Sequence, residues 1–116
     1  MKDHTDLLRL KNAYIQKCKE LETALSEYKK FAEDAAEKER IYLIAKSKAI
    51  LRLKQEGQPV TLIPALAKGE AASHRFDYHV ADAVFSACKE NIKRLHANLD
   101  AYRSLLSVAK SEMEIR

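Results

Sequence analysis

Several residue types are missing or scarce in this chain of 116 residues: it has no Trp, two Gly, two Pro and two Cys. It also lacks any apolar run near the roughly 20 residues that span a bilayer, and its start lacks the basic and apolar blocks of a signal peptide. We therefore expect no membrane contact and a place in the cytoplasm. Cys18 and Cys88 fit a reducing compartment, because both occupy apolar helical positions where a free thiol packs as a small hydrophobic group.

The few helix-breaking residues are concentrated at one place: Gly57, Pro59, Pro64 and Gly69. Gly disfavours a helix through backbone entropy, and Pro through its missing N–H and its ring clash. The rest of the chain is rich in Ala, Leu, Lys and Glu, and 33% of all residues are charged, which is typical of long or coiled helices. The sequence therefore predicts an all-α fold whose chain reverses once, near its middle.

Apolar residues recur every seven positions on both sides of this reversal. The second side has two such series: Tyr78, Phe85, Ile92, Leu99, Leu106 and Met113, and Ala81, Cys88, Leu95, Tyr102 and Ala109. The first side has one, less strict: Leu7, Tyr14, Leu21, Tyr28, Ala35 and Tyr42. Because repeated heptads are typical of coiled coils, we expect a long antiparallel two-helix coiled-coil hairpin with a short helix at its tip.

The expected hairpin is a single domain over 1–116, divided into a first arm over about 4–56, a tip over 57–69 and a second arm over about 70–115. A reversal centred on residues 62 and 63 predicts the register of the arms, with Ala36 facing Cys88. In that register small residues of one arm face larger residues of the other, as close antiparallel packing requires.

More apolar residues are present than one hairpin seam can bury. Leu8, Ile15, Val80 and Val84 lie outside the seam, and the run from Ile41 to Ala45 is apolar on nearly every side. A helix of this kind is covered on more than one side. We therefore expect two copies to associate as a homodimer that forms a helical bundle, with a lone monomer as the alternative.

The tip contains a candidate short helix of its own. Thr61 is predicted to cap its start, Pro64 to lie in its first turn, and Gly69 to end it in a left-handed conformation. Two interpretations of its apolar cluster stay open: the cluster packs against the arms (Ile44, Ile50, Leu51, Phe76), or it is exposed as a partner-binding site. The cluster consists of Val60, Leu62, Ile63 and Leu66.

Positive charge is concentrated around the same place. Residues 40–69 carry a net charge of +5, whereas residues 1–39 carry −1 and residues 70–116 carry zero. The basic residues of this segment are Arg40, Lys46, Lys48, Arg52, Lys54 and Lys68. Such a patch is the electrostatic footprint of a polyanion such as a nucleic acid, although an acidic protein or plain solvent would suit the same residues.

No pattern in the sequence indicates catalysis or metal binding. His74 and His79 are five residues apart and so do not share a helix face, and no His-Glu-x-x-His motif exists. The acidic residues around Glu33 and Glu37 are not accompanied by a Glu-x-x-His pair, which a bundle di-iron site would need. We therefore predict that the protein is not an enzyme and has no metal, no cofactor and no small-molecule substrate.

The stretch from Ala45 to Gly69, with its element Gly57-Gln58-Pro59-Val60-Thr61-Leu62-Ile63, resembles a group of small all-helical proteins of phages and prophages of Gram-positive bacteria. Two later runs are similar to the same group: Asp77 to Ala83 and Tyr102 to Leu106. Members of the group are functionally uncharacterised and often accompany phage replication and recombination genes. The resemblance implies a viral or prophage setting in a bacterial host cell and assigns no catalytic or binding residue.

Two functions follow as hypotheses. The first is a non-enzymatic phage or prophage accessory protein, a helical hairpin that works as a homodimer through protein–protein contact at its tip. The second is an accessory nucleic-acid-binding protein that uses the basic residues near the tip during phage DNA replication or recombination.

Overall fold

The computed structural model describes residues 4–115, and these form three helices and no strand: α1 (His4–Gln55), α2 (Ile63–Glu70) and α3 (Ala72–Ile115). The predicted all-α fold is confirmed. The chain divides into two compact units. Unit 1 comprises Met1–Tyr28 and Cys88–Arg116, and unit 2 comprises Lys29–Ala87.

Helix α1 ends at a left-handed glycine. Gly57 has a φ of 78°, and its N–H donates to the carbonyl of Lys54 at 3.1 Å while the N–H of Gln58 donates to Leu53 at 3.1 Å. This pair of bonds is the Schellman arrangement, which satisfies carbonyls that the helix end leaves open. Gly69 was predicted to play this role for the tip helix, and that prediction is wrong, since Gly69 is helical and α2 runs on to Glu70.

Helix α2 begins later than the sequence predicts. Leu62 is its N-cap and makes no capping bond with its side chain, so Thr61 is not the cap. The carbonyl of Pro59 takes over this function by accepting the N–H groups of Leu62 at 2.9 Å and Ile63 at 3.3 Å. Pro64 lies in the first turn, as predicted, where its missing N–H leaves no bond unmade.

Helices α2 and α3 are separated by Ala71 alone. The N–H of Ala71 donates to Ala67 at 3.1 Å, and the N–H of Arg75 donates to Ala71 at 3.0 Å. These bonds are the last of α2 and the first of α3, so the two helices meet at Ala71, and the chain reverses between the end of α1 and the start of α2.

In unit 1, α1 and α3 pack antiparallel. The Cys88 thiol lies 3.6 Å from the carbonyl oxygen of Ala24, and Arg103 Nε donates to the Tyr14 hydroxyl at 3.2 Å. The side chains of Leu95, Leu99 and Ala109 are buried between the helices, together with Ala24 and Cys88. Cys18 and Cys88 are both free thiols, as predicted.

In unit 2, the core is built from small side chains and the first residues of α2. Ala49, Leu53, Ile63 and Ala67 form one buried cluster, with half-buried Ile50 packed against it. Ala35, Ala71 and Ala81 are buried as well. Alanine at such positions lets helix axes approach to the short end of the usual interhelical distance.

The predicted register of the arms is wrong. Cys88 contacts Ala24 instead of Ala36, and Ala36 is exposed. The cause is the position of the reversal, which lies at residues 56–62, between the end of α1 and the start of α2, instead of at residues 62 and 63. A reversal centred there pairs each residue of the returning arm with an earlier residue of α1.

Candidate protein-interaction surfaces

The apolar residues of the tip divide into one that is buried and three that are exposed. Ile63 is 4% exposed, because it faces the core cluster with Leu53 and Ala67. Val60 is 79% exposed and Leu62 and Leu66 are also exposed. Ile63 is therefore a core residue. The surface available to a partner consists of Val60, Leu62 and Leu66, and we call it the tip surface.

A second apolar surface lies along one side of unit 2. A groove of about 380 Å³ runs between α1 and the first turns of α3, and Phe76 at its edge is 68% exposed. The residues that line it are Phe31, Asp34, Lys38, Phe76, Asp77, Val80, Ala81 and Val84. An exposed phenylalanine beside two exposed valines is an apolar patch that water solvates poorly.

The same side of α1 continues this surface toward the tip. A further groove of about 510 Å³ is lined by Arg40, Ile41, Ile44, Ala45, Lys48 and His74, and a shallower one beside it shares Arg40, Ile44 and Lys48 and extends to Leu51, which is 61% exposed. Asp34, Ile41 and Lys48 are spaced by seven and therefore lie on one side of the helix. We call this surface, formed by Asp34, Ile41, Ile44, Lys48, Leu51, Phe76, Val80 and Val84, the lateral face.

Two of the predicted basic residues are held by neighbouring carboxylates. Arg40 donates to Glu37 from two nitrogens, and Arg52 lies between Glu56 and Glu70. Hydrogen bonding raises the pKa of both guanidinium groups, and the bond from Arg40 lowers the pKa of Glu37. Part of the positive charge that the sequence assigns to this segment is therefore neutralised locally.

The remaining basic residues do not form one patch. Lys46 is half-buried with its amine 6.0 Å from the centre of the Tyr42 ring. Lys48, Lys54 and Lys68 are exposed, and none of the three has an ion pair within residues 4–115. On α1, Arg40, Lys48, Arg52 and Lys54 lie on one half of the helix and Lys46 lies outside it. Because carboxylates engage the two arginines, only Lys48 and Lys54 leave unpaired amines on this half within the described residues.

The grooves of unit 1 differ in character. One, lined mainly by Glu20, Thr23, Glu27, Asn91 and Arg94, is polar. The other, of about 400 Å³, is lined by Leu7, Lys11, Leu106, Lys110, Met113 and Glu114. Neither combines exposed large apolar residues from both helices as the lateral face does.

Neither a cluster of metal ligands nor a membrane-spanning helix is found in the described part of the chain. Within residues 4–115 no three His, Cys, Asp or Glu side chains lie close enough to hold an ion. None of the helices in this part is both long and apolar enough to cross a membrane.

Several residues of the lateral face were not predicted as a site. The alternative in which the tip packs against the arms is confirmed at Ile50, which packs against the cluster that contains Ile63, and is wrong at Phe76, Leu51 and Ile44, which are exposed. The signal that identifies part of this surface is the spacing of Phe76, Val80 and Val84, which recur every four residues outside the heptad series.

No family model, no curated protein and no solved structure matches this chain. The resemblance to helical phage proteins therefore stays a prediction. The tip surface and the lateral face are the features from which a function can be inferred.

Proposed function

We propose that this chain is a non-enzymatic helical hairpin that acts through protein–protein contact and assembles as a homodimer in a helical bundle. The observation that carries the proposal is the lateral face, where Ile44 and Leu51 of α1 and Phe76, Val80 and Val84 of α3 are all exposed on unit 2. Monomeric soluble proteins rarely leave contiguous apolar patches of large size open to water. A second copy would cover these side chains.

Light scattering at several protein concentrations tests the homodimer. The wild-type chain is expected to have twice the monomer mass, and Phe76→Glu and Leu51→Glu are expected to shift it toward the monomer because each introduces a charge into the apolar contact. Leu105→Glu, at an exposed leucine of unit 1, is the matched control and is expected to leave the mass unchanged. A wild-type monomer at every concentration would contradict the proposal.

We assign the tip surface to a second, different protein. Val60, Leu62 and Leu66 are exposed on the short helix and the turn that precedes it, and Lys54 and Lys68 are exposed nearby in the sequence. Apolar anchors surrounded by charge are the usual composition of a binding spot. An apolar partner segment with acidic residues would suit this chemistry.

Affinity capture from infected host cells tests the tip. Leu62→Asp is expected to lose the captured partner, whereas Thr61→Asp, which adds the same charge at an exposed polar position, is expected to retain it. Identical capture by wild type and Leu62→Asp would remove the tip surface from the proposal. Light scattering on the same variants shows whether the homodimer is intact.

The resemblance of the stretch from Ala45 to Gly69 to phage proteins supports a setting in the cytoplasm of a phage-infected or lysogenic bacterium. An accessory role in nucleic-acid binding is the second candidate function. It is favoured by the exposed amines of Lys48, Lys54 and Lys68, and it is weakened by the carboxylates that engage Arg40 and Arg52.

A further inference from the structure

Charged and apolar residues alternate along the lateral face in a symmetric order. Asp34, Ile41 and Lys48 lie at steps of seven on one side of α1. At the helical rise, Ile41 is about 10 Å from each of the two charged residues, and these are about 21 Å apart. Asp34 and Lys48 therefore place opposite charges on the two sides of the apolar Ile41. Lys38 and Asp77 also line the groove at the Asp34 end, and Arg40 and His74 line the groove at the Lys48 end.

The two charges at the ends, Asp34 and Lys48, have no ion-pair partner among the described residues. Within residues 4–115 neither Asp34 nor Lys48 takes part in an ion pair, although neighbouring residues do, with Glu33 on Lys29 at 3.8 Å and Glu37 on Arg40. Both side chains are exposed. Each is thus available to a charge of opposite sign on another molecule.

From this order we infer that the lateral face is a self-complementary interface, in which two copies pack antiparallel about a two-fold axis at Ile41 and Asp34 of each copy pairs with Lys48 of the other. Isologous contacts have this property: if residue i meets residue j, then j meets i. A parallel arrangement would place Asp34 against Asp34 and Lys48 against Lys48, which is repulsive. The inference rests on the homodimer proposed above and specifies its surface and orientation.

The α3 side of unit 2 supplies apolar anchors beside the proposed axis. Phe76 and Val80 line one groove with Asp34 and Lys38 of α1, so this part of α3 lies level with the stretch of α1 just before Ile41. Phe76 and Val80 are therefore close to the centre of the face, and both are exposed. Aromatic side chains near the centre of an interface contribute most to binding.

Charge reversal at the two ends tests the inference. Asp34→Lys alone places four positive groups at the two contacts, and Lys48→Glu alone places four negative groups there. Each single variant is expected to raise the dimer dissociation constant by about tenfold or more, measured by sedimentation equilibrium at low salt. The double variant Asp34→Lys/Lys48→Glu restores opposite charges across the axis and is expected to dimerise like the wild type.

Mixing the two single variants gives an independent readout. An Asp34→Lys chain and a Lys48→Glu chain carry opposite charges at both contacts, so the mixture is expected to form a heterodimer although neither variant dimerises well alone. Glu90→Lys, which changes the net charge by the same amount on the surface of unit 1, is the control and is expected to leave the dissociation constant unchanged. Helix content by circular dichroism verifies that every variant is folded.

The outcomes separate this inference from the proposal on which it rests. A wild-type dimer that withstands both single reversals would overturn the inferred face and leave the homodimer standing. Weak dimers for the double variant and for the mixture would overturn the pairing of Asp34 with Lys48 across the axis. A wild-type monomer at every concentration would overturn both.

Discussion

The Cys88 thiol lies 3.6 Å from the carbonyl oxygen of Ala24, sixty-four residues away in sequence, and donates a hydrogen bond to it. A side chain can approach the backbone of a facing helix this closely only where that helix carries a small residue. Alanine supplies it here, as it does at Ala35, Ala49, Ala67 and Ala81, all of which are buried. The cores of both units therefore consist mainly of small side chains and contain few large ones.

Leu95 is the one large side chain that is fully buried among the described residues, at 1% exposure. Leu95→Ala is expected to lower the free energy of unfolding by about 2–5 kcal/mol, because it removes apolar contact and leaves a cavity. Urea denaturation at one fixed protein concentration measures the effect. Leu105→Ala, at an exposed leucine of the same helix, is the control and is expected to change stability by about 0.5 kcal/mol or less. Equal losses in the two variants would contradict the assigned core.

The helices could be predicted from the sequence, whereas their alignment could not. Gly and Pro are absent from 4–55 and from 72–115, and helix fills both ranges. The register of the two helices could not be predicted, because sliding one heptad series along another by seven residues keeps the same faces together. Only the exact position of the reversal distinguishes such alignments, and it depends on where α2 begins, which no capping side chain marks.

The exposure of the tip residues was predictable to a similar extent. Val60, Leu62 and Leu66 are exposed, as a contact surface requires, whereas Ile63 is buried. The burial of Ile63 could not be predicted, because periodicity in so short a helix does not show which side meets α1. The net charge of +5 assigned to residues 40–69 omits Glu37 and Glu70, which lie just outside that window and bind the two arginines.

The two glycines are expected to respond to alanine in opposite directions. Gly57 has a φ of 78°, which costs a residue with a side chain about 1 kcal/mol or more, so Gly57→Ala is expected to lower the free energy of unfolding. Gly69 is helical and has open space where a Cβ would stand, so Gly69→Ala is expected to raise it by about 0.5–1 kcal/mol. Thermal and urea denaturation measure both. A stabilised Gly57→Ala variant would show that α1 does not end in a left-handed residue.

The pKa of Tyr78 is expected to lie above that of an ordinary tyrosine. The largest cause of the raised pKa is hydrogen bonding with Glu39, and partial burial of the phenol is the second cause. The neutral phenol is thus favoured in the folded state, so its contribution to stability is complete below the ordinary tyrosine pKa of about 10 and is lost as pH rises through the raised value. Ultraviolet absorbance of the phenolate, compared between the wild type and Tyr78→Phe, measures this titration.

Carboxylate variants identify the cause of this shift. Glu39→Gln removes the negative charge beside the phenol and is expected to lower the pKa of Tyr78 toward the ordinary value. Glu90→Gln, on the surface of unit 1, makes the same change away from Tyr78 and is expected to leave the titration unchanged. An unchanged titration in Glu39→Gln would show that the hydrogen bond does not set the pKa.

Binding of a labelled oligonucleotide distinguishes the two candidate functions. If Lys48, Lys54 and Lys68 contact phosphates, affinity is expected to fall steeply with salt, and a triple change of these lysines to Gln is expected to reduce the slope of log affinity against log salt by about two to three. A triple change of Lys11, Lys19 and Lys110 to Gln removes equal charge from unit 1 and is expected to leave the slope near its wild-type value. The ion pairs of Arg40 and Arg52 predict that the wild-type protein binds weakly even at low salt, and tight binding there would favour the nucleic-acid function over the protein-contact function.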